Sequence, residues 1–281
     1  MIDKLKYRFS IPWLCNLYGV SKSGYYRWKK HPELSQRYEL LHKKIDEYVK
    51  RIHTHHKSYG YRSVCAVIHN EGQLKLSCNS VLKSMQRLDI HSMARKKRSK
   101  YAGATHSNFP NILDRQFNPS RPMQRVAVDV CQFYNHSQKY YFIAYLDMFN
   151  NEIISWNLAR REDMSLILPP LRQLLAKKKA CEELLLHSDQ GSQFASYSYI
   201  KLLQDNGVTQ SMSSAGTPRD NAVLESCFGW FKNMLRIDFN IQICQDVFAT
   251  VAEAVDHFNH FRPAFALDYK TPVQFKTAQG F

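Results

Sequence analysis

Three carboxylates in this chain are placed to do phosphoryl chemistry: Asp129, Asp189 and Glu225. Asp129 lies within an apolar run, Gln-Arg-Val-Ala-Val-Asp-Val-Cys-Gln-Phe over 124–133, and Asp189 closes a second, Glu-Leu-Leu-Leu-His-Ser-Asp over 183–189. Glu225 falls early in a predicted helix that starts near Pro218, with 35 residues between it and Asp189. Two strands and a helix delivering three carboxylates to one point would make a cage for two Mg²⁺, with Mn²⁺ able to substitute. That is the equipment for in-line attack on a phosphodiester.

Each position also has a plainer reading. Asp129 alternates along its strand with Val126, Val128 and Val130, sharing a face with Ala127, Cys131 and Phe133. A carboxylate there is either a metal ligand or a solvent-facing residue on an edge strand. Asp189 sits where ligands bind in α/β sheets, past the carboxyl end of a strand, but could equally cap a helix. On the helix, Leu224, Phe228, Phe231 and Leu235 form the expected buried stripe. Glu225, Gly229, Lys232 and Arg236 run alongside it, a face suited to metal and then DNA backbone, or simply to solvent.

Other candidates are weaker. Asp147 reads as a turn residue, Asp220 as a helix-start residue, and His187 as a packing or hydrogen-bonding neighbour of the site. His53, His55 and His56 with Cys65 and Cys78 lack a Cys-x-x-Cys hook, so no zinc is expected. No GxxxxGK loop is present, so ATP use is not indicated.

Charge divides the chain. Residues 1–100 hold 22 Lys+Arg against 7 Asp+Glu, while residues 101–281 hold 17 of each. The whole net charge of +15 therefore sits in the first third. This favours a nucleic-acid-binding part joined to a neutral catalytic part. Seven cysteines without close pairs read as reduced thiols of a cytosolic protein. No run of 18 apolar residues suggests a membrane span, and no secretory signal is evident.

The elements that must position these residues follow from the pattern. A helix-turn-helix-like segment is expected over 1–34, with apolar Trp13, Leu14 and Leu17, a turn at Gly19, a cap at Ser21 and a stop at Pro32. A second helix-turn-helix domain is expected over 35–99, beginning with a helix from about 35 to 53. It ends in Arg95, Lys96, Lys97 and Arg98, which could track phosphates. Residues 100–122 read as a linker, and 123–281 as the catalytic domain. That domain shows strand-like runs over 124–134, 139–148 and 152–158. A helix near 163–178, a strand over 183–187, a helix near 192–205 and a short strand at Val208 come next, then helices near 218–236 and 244–261. Asn135 and Asn150-Asn151 suit the hairpin turns. The layout is α/β, similar to a ribonuclease H core preceded by an all-α region.

The segments His187–Phe194 (His-Ser-Asp-Gln-Gly-Ser-Gln-Phe) and Ser211–Ser226 resemble OrfB-type insertion-sequence transposases of the DDE, or retroviral-integrase, superfamily. Further matches are Gly19–Trp28, Tyr59-Gly-Tyr-Arg62, Phe258–Pro263 and Tyr269–Pro272, so the resemblance covers nearly the whole chain. It implies that Asp129, Asp189 and Glu225 form the catalytic and metal-binding triad. It also implies that the 59–98 region is a helix-turn-helix module, and Tyr59 and Arg62 join Arg95, Lys96, Lys97, Arg98, Lys232 and Arg236 as the expected DNA contacts. The activity implied is metal-dependent strand cleavage and transfer at element ends and target. The implied setting is a bacterial cytoplasm, at the nucleoid, as a homo-oligomer on DNA and fused by frameshifting to an upstream-frame product. The chain departs from the family pattern at Val128, Asn233 and Ala264. The alternatives are a DNA-binding remnant without activity and a ribonuclease H-like nuclease without strand transfer.

Overall fold

The computed structural model describes residues 1–281 except 73–75, 95–108, 115, 179–182 and 214–221, and without the side chains of 32–37 and 222–225. The expected arm Arg95–Arg98, Asp220 and the Thr217-Pro218 helix start lie outside the described residues, as does the Glu225 side chain.

The first unit packs three short helices, α1 (Ile2–Leu5), α2 (Ile11–Leu17) and α3 (Lys22–Lys30), around Ile2, Leu14, Cys15 and Tyr25. Gly19 takes the left-handed turn (φ +62°), and the Ser21 hydroxyl accepts the Gly24 amide at 3.1 Å. Of the expected apolar stripe only Leu14 is buried. Trp13 and Leu17 face solvent because α2 has just two turns and a single partner face, and Trp13 stacks instead on Phe9 at 4.9 Å. Pro32 does not merely stop α3. It occupies the first position of α4 (Pro32–His55), where its missing N–H costs nothing.

A second unit packs α5 (Tyr61–Asn70) and α6 (Cys78–Arg87) against the later half of α4. Ile45, Val49 and Ile52 of α4 meet Val64 and Ile68 of α5 and Val81 and Met85 of α6. Ser77 caps α6, and Arg87 and Ser84 both bond Asp46, which fixes α6 along α4.

The remainder is a three-layer α/β/α domain. Its sheet comprises β1 (Arg125–Asn135), β2 (Gln138–Asp147), β3 (Glu152–Ala159), β4 (Leu184–Ser188) and β5 (Val208–Met212) in the order β3-β2-β1-β4-β5. β1–β2 and β2–β3 are antiparallel, and β1–β4 and β4–β5 are parallel. Val126, Val128, Ile143 and Tyr145 face α7 (Met164–Lys177) and α8 (Tyr197–Asp205). Ala127, Cys131, Phe142 and Ala144 face α9 (Ala222–Ile237) and α10 (Val247–His260).

Several local expectations are refined. The helix expected over 192–205 is a 3₁₀ turn, Ser192–Ala195, followed by α8. His136 takes the positive φ of the β1–β2 turn, while Asn135 stays buried and donates to Ile241 and Cys244 carbonyls. Asn151 takes the positive φ of the next turn, as its type suggests. A last helix, α11 (Pro272–Ala278), was not anticipated; it opens with a Thr271 capping box. The described part of the expected linker is tied to the sheet. Met212 N–H donates to the Pro110 carbonyl, and Leu113, 1 % exposed, joins the core under α9. No described helix is long and apolar enough to cross a membrane.

Candidate active site

In the parallel pair, Arg125 aligns with Leu185, Val126 with Leu186 and Ala127 with His187, where the pairing ends. The same offset carried two residues further puts Asp189 opposite Asp129 in register. β4 ends at Ser188, so Asp189 leaves the sheet at its carboxyl edge. Its carboxylate accepts the Gly191 amide at 3.0 Å, which folds the exit turn back on itself. Gln190 donates to the Ser213 carbonyl at 2.8 Å and ties that turn to the end of β5.

The face is set by alternation. Ala127 and Cys131, two residues either side of Asp129, lie in the core beneath α9. Asp129 itself is half-buried, and one oxygen accepts the Val130 amide at 2.8 Å. A solvent-facing edge position is thus ruled out, because β1 is the central strand of the five.

α9 covers this same face. Phe228, Phe231, Met234 and Leu235 are its buried stripe, matching the expected pattern at every described position. Glu225 stands in the first turn of that helix, on the element packed over Asp129. Lys232 is exposed and Arg236 half-buried further along. Burial pushes the Cys131 thiol up to about 12; the Lys232 cation opposes this and the Asp129 carboxylate adds to it. Both charges are therefore close enough to act on one sulfur. The hard donors this region offers are the carboxylate oxygens of Asp129 and Asp189, a type that fits Mg²⁺ or Mn²⁺. Among the described residues no group of three or more His, Cys, Asp or Glu side chains is arranged to hold a metal ion, and the Glu225 side chain is outside the described set.

Beneath the pair, Ala127, His187 and Ser211 form one row across three strands. The Ser211 hydroxyl accepts the Ile112 and Leu113 amides at 3.0 Å each. Its own proton must then go to His187 Nδ1, 3.0 Å away, which places the proton of the neutral ring on Nε2. His187 is buried and hydrogen-bonded, in line with the packing or hydrogen-bonding part expected of it. Asp147 is likewise a turn residue, but a buried one, accepting the Met123 and Phe149 amides.

The expected DNA contacts divide. Arg62 is exposed, its guanidinium over the rings of Tyr61 and Phe265. Tyr59 does not face DNA. It is 2 % exposed, and its hydroxyl meets His257 Nε2 at 2.9 Å. The reason is a clasp between the second helical unit and the catalytic layer that residue-type patterns did not reveal. The Ser58 amide and hydroxyl donate to the two oxygens of Asp238, at 2.9 and 2.5 Å. The His56 ring stacks on both Tyr59 (4.8 Å) and His257 (4.7 Å). Arg262 lies over Trp230 at 4.9 Å, on the α9 side of the same junction.

Comparisons with known proteins accord with this geometry. Residues 119–218 and 206–272 match two models of the integrase core domain, and residues 41–98 match an HTH-like domain. The putative transposase InsK of insertion sequence element IS150 from Escherichia coli K12 is 29 % identical over 277 residues, spanning 98 % of this chain and 96 % of that protein. An uncharacterized transposase-like protein of Haemophilus influenzae is 30 % identical over 205 residues, 73 % of this chain and 94 % of that one. A chain in the cryo-EM structure of a simian T-cell lymphotropic virus intasome superposes with a TM-score of 0.50 at 16 % identity, over 75 % of this chain and 73 % of that one. This last likeness concerns the fold.

Proposed function

Because the chain belongs to the insertion-sequence transposases with an integrase core domain, we propose that Asp129, Asp189 and Glu225 are its catalytic triad in DNA strand cleavage and strand transfer. What supports this is the β1–β4 offset, which aligns the two aspartates when carried two residues past its last pair, together with the packing of α9, which bears Glu225, on β1. The three carboxylates would hold two Mg²⁺ or Mn²⁺. Such ions supply a lowered pKa for an attacking oxygen and charge stabilisation for a leaving one. The protein's own part is placement. Asp129 and Asp189 are held by amides at 2.8 and 3.0 Å, and α9 is held by its buried stripe. Lys232 and Arg236 continue that helix toward a bound backbone, where they would offset phosphate charge. Arg62 and the arm Arg95–Arg98 would extend the contact from the helical units. Exchange of one phosphodiester for another needs no nucleoside triphosphate. The acting form is a homo-oligomer on DNA at the nucleoid, joined to an upstream-frame product.

The test is a labelled duplex carrying the element end, incubated with the protein and Mg²⁺. Nicked and joined strands are expected, lost on chelation and restored by Mg²⁺ or Mn²⁺. The variants Asp129→Asn and Asp189→Asn should bind the duplex as the parent does yet leave it intact. Equal product from either variant overturns the triad. Cut ends never followed by joined ones would indicate a nuclease.

A further inference from the structure

The first 31 residues lie outside all three family matches, and their surface is built for a polyanion. They carry seven Lys+Arg and one acid, Asp3. That acid is used internally, accepting from Lys6 Nζ at 3.0 Å and the Tyr25 hydroxyl at 2.9 Å. The unit has its own core, separate from that of α4–α6. In α3 only Tyr25 is buried; Lys22, Ser23, Tyr26, Arg27, Trp28, Lys29 and Lys30 are exposed. None of the four cations of α3 is in an ion pair among the described residues.

Their placement is specific. At about 100° per residue, Ser23, Arg27 and Lys30 lie within roughly 40° of the direction opposite Tyr25. Two forked or long donors and a hydroxyl thus project from the free face of the second helix of a helix-turn-helix, the position that enters a major groove. On the same count Lys22 and Lys29 lie about 60° and 40° from Tyr25, at one edge nearer the packed side, where they would meet phosphates rather than bases. α4 joins this unit to the one over α5 and α6, and its later half packs within that second unit, so about a dozen helical residues, roughly 18 Å, lie between the two.

We propose that α2–α3 is a second duplex-DNA-binding element, with Ser23, Arg27 and Lys30 of α3 at base edges, joined through α4 to the HTH-like domain, which engages a separate stretch of the duplex. This rests on the transposase reading and adds a bipartite contact to it. Duplex is favoured over single strands because the cations surround a rigid helix rather than line a groove of stacked rings.

The experiment is hydroxyl-radical footprinting and titration of the full chain on a labelled duplex from the DNA flanking its reading frame. The parent should protect two separate patches. The double variant Arg27→Ala/Lys30→Ala should lose the outer patch, keep the inner one, bind at least about ten-fold more weakly and relax sequence preference there. An unchanged melting temperature would show that the unit stays folded. Lys22→Ala/Lys29→Ala, the second variant, should lower affinity and make the salt dependence shallower by about two without altering sequence preference. A single patch, or an unchanged footprint in Arg27→Ala/Lys30→Ala, overturns the proposal while cleavage by the parent leaves the transposase reading standing. Equal displacement by single-stranded competitor also overturns it. A parent chain that neither binds nor cuts duplex would overturn both.

Discussion

At the level of single residues, the site asks little beyond position. Asp129 and Asp189 each accept a backbone amide, and an asparagine oxygen can accept the same bond. Asp189→Asn should therefore leave the thermal midpoint nearly unchanged while cutting strand cleavage by roughly a thousand-fold or more, on the order of 4 kcal/mol of transition-state stabilisation. Single-turnover cleavage beside a thermal melt checks both halves. These two aspartates were legible in the sequence because a carboxylate in or at the end of an apolar strand is an anomaly that alternation exposes. Tyr59 was misread. An aromatic in a motif beside an arginine looks like a DNA contact, and nothing local tells that its hydroxyl meets His257, 198 residues away.

Among elements, α9 matters most, because it joins the core to the site. Phe231 stacks on Phe142 at 4.9 Å and meets Phe258 edge-on at 5.8 Å. Phe231→Ala should cost about 3–5 kcal/mol, read as a lower denaturant midpoint. Cleavage should fall more than DNA binding, since the helix that loosens carries Glu225 and not the helical units. Strands and long helices were read to within a few residues, since periods of 2 and 3.6 survive in Val126–Phe133 and in Phe228–Leu235. α11 and the docking of Pro110 and Leu113 were not. Seven residues with one buried side chain leave no period to see. A Pro- and Asn-rich stretch can also pair with a sheet edge without any apolar alternation.

For the whole molecule, the clasp of Ser58, Tyr59 and His56 on Asp238 and His257 joins DNA-binding and catalytic parts. Burial, with the nearby His56 and Arg262 charges, lowers His257 from 6.5 to about 4. An unfolded or undocked His257 would take up a proton near 6.5, so its share of docking is complete above that pH and is lost as pH falls toward 4. Asp238, raised mainly by burial, acts in the opposite sense: its protonated form is favoured when docked, which offsets part of the loss on acidification. Hydrogen-exchange protection factors in α5 and α10, corrected for the intrinsic exchange rate at each pH, should accordingly fall between pH 6.5 and 4. In His257→Gln that fall should shrink, because the titrating ring is gone. Identical pH profiles for parent and variant would refute the assignment.

The alignment of β1 with β4 carries a lesson about which length changes this chain can survive. Inserting one amino acid between Leu184 and Asp189 would rotate the acid to the α7 side of the sheet, since neighbouring side chains point opposite ways. Adding one at Gly207, in the surface turn between α8 and β5, leaves that phase untouched. A scan of single-codon insertions should thus find transposition extinguished across the first stretch and retained at the second. The spacing that matters is counted along β4, not along the much longer path from Asp189 to Glu225.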